Sequence, residues 1–152
     1  MEEKELNLLE AELLESCKAI ERVYEPILKR QTTFKHSDEG IDSMAYRLHN
    51  LYGAYEQLLK IVADFFENHI EGTRYHADLL RRMKIEIKGV RPALLSSSTY
   101  KMLNEMRGFR HFFRYAYEVE LDADRIERVV QIAIQLREPF KQDVQRFLAQ
   151  LR

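Results

Sequence analysis

The sequence of 152 residues contains one cysteine, no tryptophan, five glycines and three prolines. Because Cys17 has no second cysteine to pair with, an internal disulfide and a thiolate metal site are excluded, and we expect a reducing compartment. No uncharged segment approaches the roughly 20 residues that a membrane span requires. The acidic N-terminus also lacks the apolar segment of a signal peptide. These absences predict a cytoplasmic protein that does not bind membranes.

An excess of one charge is also missing, because 24 Lys and Arg residues are balanced by 25 Asp and Glu residues. This balance excludes a uniformly basic surface for nucleic acid, so any such site must come from local clustering of basic side chains. Hydrophobic residues make up 45% of the chain, which is typical of a globular domain and not of a disordered chain. We assign residues 1–152 to one domain.

The apolar residues recur every three or four positions along most of the chain, which is the period of an amphipathic helix. Together with capping residues, this period predicts five helices: the first from Glu2 to about Arg30, the second from Asp42 or Ser43 to before Gly72, the third from Thr73 through Ile87 to Gly89, the fourth from Ser96–Thr99 to about Glu120, and the fifth from Asp122 or Asp124 to the C-terminus. Pro26 is expected to kink or interrupt the first helix, and Pro139 to kink the fifth. Since no alternating strand pattern occurs, the predicted fold is an all-α, antiparallel bundle of about five helices.

The predicted fourth helix carries an unusual polar side. Arg107, Arg110 and Arg114 are spaced by three and four residues, so they lie along one line on the helix, and we call these three residues the arginine face. His111 and Tyr115 lie to one side of that line. Guanidinium groups bind phosphate through two parallel hydrogen bonds, so the arginine face suits an anionic ligand. The alternative is a surface whose arginines form ion pairs with neighbouring helices.

The segment from Arg110 to Tyr117 resembles the Arg-x4-His-x-Tyr motif of the HEPN superfamily. In particular, it resembles the HepT-like ribonuclease toxins, which are paired with MntA-type nucleotidyltransferase antitoxins. Residues 75–83, and the connection from residues 91–100 into the motif helix, are similar to the same group. The resemblance spans about residues 44–137 and agrees with a bundle of five helices. At the centre of the motif the sequence departs from the family, because Tyr115 stands where the family has histidine.

The resemblance implies a metal-independent ribonuclease that needs no cofactor and acts on RNA, by family analogy on tRNA. In this reaction a ribose 2′-OH attacks the adjacent phosphate and leaves a cyclic phosphate. Arg110 would hold the scissile phosphate, Arg107 and Arg114 would bind RNA phosphates, and Tyr115 would help to move protons. A phenol has a pKa of about 10 against about 6.5 for an imidazole, so Tyr115 is seldom a base at neutral pH. His111 is the nearest alternative group.

Two further expectations come from the resemblance. HEPN toxins are typically homodimers whose motif helices face each other, which would double the arginine face into a positive cleft. Tyr117 corresponds to the motif tyrosine that the partner nucleotidyltransferase modifies with AMP, and such a modification would bring bulk and negative charge to that cleft. Alternatively, Tyr117 is a phenol that is hydrogen-bonded at an interface.

Other functions stay open at this point. The replacement at Tyr115 favours a non-catalytic HEPN protein that serves as the accessory or substrate-binding subunit of a minimal nucleotidyltransferase. A third possibility is a helical interaction module whose arginines form structural ion pairs with a partner. His69 and His76 are seven residues apart, but because the pattern suggests no third ligand, structural roles are favoured over a metal site.

Overall fold

A computed structural model of the protein describes residues 1–67, 75–115 and 121–152, with the side chains of residues 111–115 excepted. Within these ranges the chain forms five α-helices and one turn of 3-10 helix. The helices are α1 (Glu3–Arg30), α2 (Asp38–Phe66), α3 (Tyr75–Met83), α4 (Ser97–Tyr115) and α5 (Ala123–Leu151), and the 3-10 turn is Phe34–His36. The predicted all-α helical bundle is therefore confirmed. In the part of the chain described, no helix is both long and apolar enough to cross a bilayer.

The second helix begins earlier than the sequence pattern predicts. Ser37 is extended, and its Oγ accepts a hydrogen bond of 3.0 Å from the backbone nitrogen of Gly40, so α2 starts at Asp38 and not at Asp42 or Ser43. Gly40 also lets the preceding 3-10 turn pack closely, because a Cβ there would lie 2.3 Å from the carbonyl oxygen of Phe34. Several capping residues occur in this stretch, and the packing of Phe34 selects the first of them.

The third helix ends at Met83, one turn before the predicted end at Ile87. The chain then turns back on itself through an isolated antiparallel bridge between Ile87 and Arg91, and Gly89 adopts a φ of 77° in the turn. That value lies in the left-handed region, which glycine enters without steric cost. Gly89 therefore marks a reverse turn after α3 and not the end of the helix itself.

The buried side chain of Arg91 explains why α3 stops where it does. Its guanidinium group donates to the backbone carbonyls of Arg82, Ile85 and Pro92, at 3.0 to 3.1 Å. It also forms a salt bridge of 2.6 Å with Glu67, the residue that follows α2. Two of these carbonyls, those of Arg82 and Ile85, lie at and just after the end of α3, so one arginine satisfies acceptors that a longer helix would have used internally.

The first and fifth helices are long, and neither proline ends its helix. α1 continues past Pro26 to Arg30, and α5 continues past Pro139 to Leu151. The side chain of Asp122 accepts a hydrogen bond from the backbone nitrogen of Asp124 at 3.0 Å, which confirms one of the two predicted starting points of the fifth helix.

A pair of buried tyrosines joins three helices in the core. The Tyr24 hydroxyl donates to the carbonyl oxygen of Ala133 at 2.7 Å, and the Tyr55 hydroxyl lies 2.5 Å from it. Since Tyr24 has only one hydroxyl proton, Tyr55 is the donor in the second bond. Phe140 packs edge-on against Tyr55, with the ring centroids 4.6 Å apart. These contacts hold α1, α2 and α5 together.

The start of α4 is held against α5 by a separate network. Ser96 accepts a hydrogen bond from the backbone nitrogen of Thr99, as expected for a capping residue in the predicted stretch. The backbone nitrogen of Ser96 in turn donates to the buried carboxylate of Asp143 at 2.9 Å. Arg146 donates both to Asp143 and to the carbonyl oxygen of Leu94. Because its first turn is anchored in this way, α4 presents its later residues at a defined rotation.

Candidate phosphate-binding site

The two sides of α4 separate as the sequence predicts in the part whose side chains are described. Leu103, Met106 and Phe109 follow the spacing of three residues that an amphipathic helix predicts for its core side, and all three are buried. Arg107 and Arg110 lie on the other side and are half-buried. The arginines are therefore neither sealed in the core nor fully extended into solvent.

Arg110 lies at the end of a line of polar groups that crosses three helices. Its Nη1 is 3.5 Å from Nε2 of His76 in α3. On the other side of the imidazole ring, Nδ1 lies 2.8 Å from each carboxylate oxygen of Glu56 in α2. The order guanidinium, imidazole, carboxylate thus runs from α4 through α3 to α2.

The neighbours of His76 determine which ring nitrogen carries the proton in the neutral form. An ionised carboxylate only accepts hydrogen bonds, so Nδ1 must be the donor to Glu56. A guanidinium only donates, so Nε2 faces Arg110 with its lone pair. The ring is 37% exposed, whereas the Glu56 side chain is 14% exposed. In the neutral ring the nitrogen without a proton is therefore Nε2, on the side of Arg110.

Tyr52 forms the buried wall behind this line, one helical turn before Glu56 on α2. Burial raises the pKa of its hydroxyl well above the ordinary value of 10.0, and the Glu56 carboxylate raises it further. Arg107 and Arg110 lower it in part, because they are positively charged. The hydroxyl oxygen makes no hydrogen bond of regular geometry within the described ranges. Tyr52 is therefore a buried, neutral phenol within the electrostatic range of Glu56, Arg107 and Arg110.

Neither Arg107 nor Arg110 forms a salt bridge with a carboxylate among the residues that the structure describes. Arg107 donates from Nε to the side-chain oxygen of Asn104 at 3.1 Å. Glu105, the acidic residue closest to them in sequence within that part of the chain, pairs instead with Arg128 of α5 at 3.3 Å. Each guanidinium carries five N–H donors, so donors are left over for an anionic ligand. The alternative, in which neighbouring carboxylates neutralise these arginines, does not hold for Arg107 and Arg110 in the described residues.

The other predicted site residues are described only in part or not at all. The backbone of α4 runs through His111, Arg114 and Tyr115, so Arg114 occupies a position one turn beyond Arg110. The side chains of these three residues, and the whole of Tyr117 and His69, lie outside the described part of the chain. The structure thus brings Arg107 and Arg110 together and says nothing about the other side chains.

Three residues of the candidate site are not identified by the sequence. Tyr52 matches the apolar spacing of a helix core, Glu56 resembles any solvated helix residue, and the pattern around His76 favours a structural role. The signal that could have identified His76 is the similarity of residues 75–83 to the HepT-like group. For Glu56 there was no signal, because its role depends on the packing of α3 against α2.

Comparison with known families gives one match that bears on this arrangement. A family model described as HepT-like protein matches residues 43–151, well over half of the chain, including most of α2 and all of α3, α4 and α5. Neither the curated proteins nor the solved structures give a match. All of the polar residues around Arg110 fall within the matched range, whereas α1 precedes it. The chain therefore belongs to the HepT-like family of the HEPN superfamily.

Proposed function

We propose that the protein is the toxin component of a toxin–antitoxin pair and acts as a metal-independent ribonuclease on RNA, with tRNA as the expected substrate. The observation that carries the proposal is the burial and the pairing of Arg107 and Arg110. They are half-buried on one side of α4 and lack a carboxylate partner among the described residues. A phosphodiester supplies the negative charge that such a pair requires.

The charge balance of the chain favours a local site for RNA. With a net charge of −1, the protein has no general attraction for nucleic acid, so the positive potential must be concentrated where several arginines meet. A homodimer in which two α4 helices face each other would bring two arginine faces to one cleft. Because guanidinium groups repel each other unless anions lie between them, such a seam favours a bound phosphate backbone.

In the proposed reaction Arg110 holds the phosphate that is cleaved. The ribose 2′-OH attacks the adjacent phosphorus, the bond to the 5′ oxygen breaks, and a cyclic phosphate remains. A guanidinium at this point stabilises the additional negative charge of the transition state. Arg107 and Arg114 bind flanking phosphates. Tyr115 contributes a hydrogen bond from its phenol, and His111 is a further candidate for proton transfer.

Control of the activity is proposed to come from an MntA-like nucleotidyltransferase antitoxin that attaches AMP to Tyr117. Tyr117 follows Arg110 by seven positions in the sequence and corresponds to the motif tyrosine. An AMP group attached there adds bulk and negative charge next to the arginine face. The same arginines that bind RNA would then be occupied by the attached nucleotide.

The test is cleavage of bulk tRNA by the purified full chain in the presence of a metal chelator. The Arg110→Ala variant should lower the cleavage rate by about 100-fold or more, since removing one preorganised group that stabilises transition-state charge has an effect of that order. Arg128→Ala, which removes an exposed arginine paired with Glu105, is the matched control and should cleave at the wild-type rate. Equal rates for the two variants, or no cleavage by the wild-type chain, would contradict the proposal.

A second function is favoured by one specific residue, Tyr115, which replaces the motif histidine. In that case the protein is a non-catalytic accessory or substrate-binding subunit of a minimal nucleotidyltransferase. It would bind tRNA with the same dependence on Arg110, form a complex with the nucleotidyltransferase, and leave the RNA intact. A binding measurement alongside the cleavage assay separates the two functions.

A further inference from the structure

We propose that His76, oriented by Glu56, takes the proton from the attacking 2′-OH and so performs the role of the histidine that is missing at position 115. The inference rests on the proposed ribonuclease function and adds a catalytic residue to it. Its basis is the alignment of Arg110, His76 and Glu56 across α4, α3 and α2.

The geometry gives the neutral His76 ring the tautomer that a base at Nε2 requires. Glu56 accepts the Nδ1 proton through contacts of 2.8 Å to both of its oxygens, which leaves Nε2 unprotonated in the neutral ring. Nε2 lies 3.5 Å from Nη1 of Arg110. A phosphate held by Arg110 therefore lies beside Nε2, and the 2′-OH that attacks it belongs to the adjoining ribose. A general base must lie within hydrogen-bonding reach of the proton that it removes, and the 3.5 Å between Nε2 and the group that holds the phosphate in the proposed reaction is the distance on which this reach depends.

Glu56 acts as a positioning residue in this arrangement. Its carboxylate holds the ring so that Nε2 faces Arg110, and its negative charge stabilises the imidazolium that forms when Nε2 takes the proton. The Glu56 side chain is 14% exposed, so solvent screens this charge interaction less than it would at the surface. A histidine held by a carboxylate on one nitrogen and reactive at the other is a recurrent arrangement for proton transfer.

The proposed step moves one proton and exchanges one bond to phosphorus for another. Nε2 of His76 takes the proton of the 2′-OH, and the 2′ oxygen forms a bond to phosphorus. The bond between phosphorus and the 5′ oxygen breaks, and the 5′ oxygen leaves with the electron pair and takes a proton from water. The products are a 2′,3′-cyclic phosphate and a 5′-hydroxyl end. The imidazolium then returns its proton to solvent, so no oxidant, reductant or metal is consumed.

A purely structural role for His76 would be to tie α3 to α2, and that role needs only Nδ1. Two observations favour a role in addition to this one. Nε2 faces a guanidinium that has no carboxylate partner in the described ranges, and the ring is 37% exposed, so a bound substrate can reach it. The experiment must therefore separate the hydrogen bond between Nδ1 and Glu56 from proton transfer at Nε2.

His76→Asn makes this separation, because the asparagine amide can still donate to Glu56 while Nε2 is lost. We expect His76→Asn to lower the rate of tRNA cleavage by about 100-fold or more, the usual contribution of a general base. Binding of tRNA should stay within about threefold of the wild type, because Arg110 is retained. Glu56→Gln should cleave more slowly and shift the pH dependence of the rate, because the imidazolium loses its carboxylate. His36→Ala, at an exposed histidine outside the site, is the control and should cleave normally.

Restoration of cleavage by added imidazole distinguishes a chemical role of His76 from a structural one, because imidazole does not replace a lost structural contact. In His76→Ala, free imidazole should enter the space left by the ring and restore part of the cleavage, and it should have no such effect on Arg110→Ala. Cleavage by a folded His76→Asn variant at the wild-type rate would overturn the role of His76 while leaving the ribonuclease function in place. The same holds if a folded, RNA-binding His76→Ala variant is not rescued. If the wild-type chain cleaves no RNA, both proposals fail together.

Discussion

Nη1 of Arg110 lies 3.5 Å from Nε2 of His76, although 34 positions separate the two residues in the chain. The contact exists because α3 packs against both α2 and α4. It turns an arginine that could have been an ordinary surface residue into part of a site that also includes Glu56. The candidate site, which the sequence predicts on one helix, thus includes polar groups from three helices.

A histidine at position 115 should increase the activity. If His76 accepts the 2′-OH proton, the leaving 5′ oxygen still needs a proton, and an imidazole at position 115 donates one more readily at neutral pH than a phenol with an ordinary pKa of about 10. We expect the cleavage rate to rise by about tenfold or more. Tyr46→His, which places a histidine at an exposed position of α2, is the matched control and should leave the rate unchanged. An unchanged rate in Tyr115→His would place residue 115 outside the reaction.

Modification of Tyr117 can be read directly by mass. When the chain is coexpressed with an MntA-like nucleotidyltransferase, its intact mass should rise in steps of one AMP residue, and the modified chain should no longer cleave tRNA. Tyr117→Phe removes the acceptor hydroxyl and should abolish these steps, whereas Tyr46→Phe should retain them. Mass steps that persist in Tyr117→Phe would assign the modification to another residue.

The buried salt bridge between Arg91 and Glu67 should contribute much more to stability than an exposed one. The two side chains are 0% and 8% exposed, and Glu67→Gln would leave the Arg91 charge buried without its counter-charge. We expect the free energy of unfolding to fall by about 3 to 5 kcal/mol, measured by urea denaturation. Glu105→Gln breaks the exposed pair with Arg128 and should cost less than about 1 kcal/mol. Equal losses for both variants would contradict this view of the turn after α3.

Stability should also depend on pH through Glu21, which joins α1 to α5. The hydrogen bond from Arg137 holds the pKa of this carboxyl below its ordinary value of 4.5, with Lys141 acting in the same direction against the effect of burial. The pKa of Glu21 is lower in the folded chain than in the unfolded chain. The ionised carboxylate therefore contributes its full stabilisation of the folded state at pH values above the pKa of the unfolded chain. This stabilisation is lost as the pH falls through the folded pKa.

The measurement compares Glu21→Gln with the wild type. The difference between their free energies of unfolding should be largest near neutral pH and should shrink as the pH falls through the carboxyl range. Glu25→Gln, at an exposed residue of the same helix, is the control and should show a smaller difference. A difference for Glu21→Gln that stays constant with pH would contradict the assigned role of Arg137.

Local signals in the sequence predicted helix boundaries well where one capping residue dominates. Asp122 caps α5 as expected, and Ser96 caps α4. The prediction for α2 was wrong by about one turn, because Ser37, Asp42 and Ser43 are all suitable caps and only the packing of the 3-10 turn decides among them. The end of α3 was missed because Arg91 binds its carbonyls from a position beyond the helix.

The sequence by itself determined the helical class and the spacing of the arginine face, since both follow from a period of 3.6 residues within single helices. Only the tertiary structure decided which groups stand next to Arg110. Glu56 and His76 are 20 positions apart, and they meet because α2 and α3 pack together. Local periodicity describes which side of a helix is polar, but it carries no information about which polar side of another helix will face it.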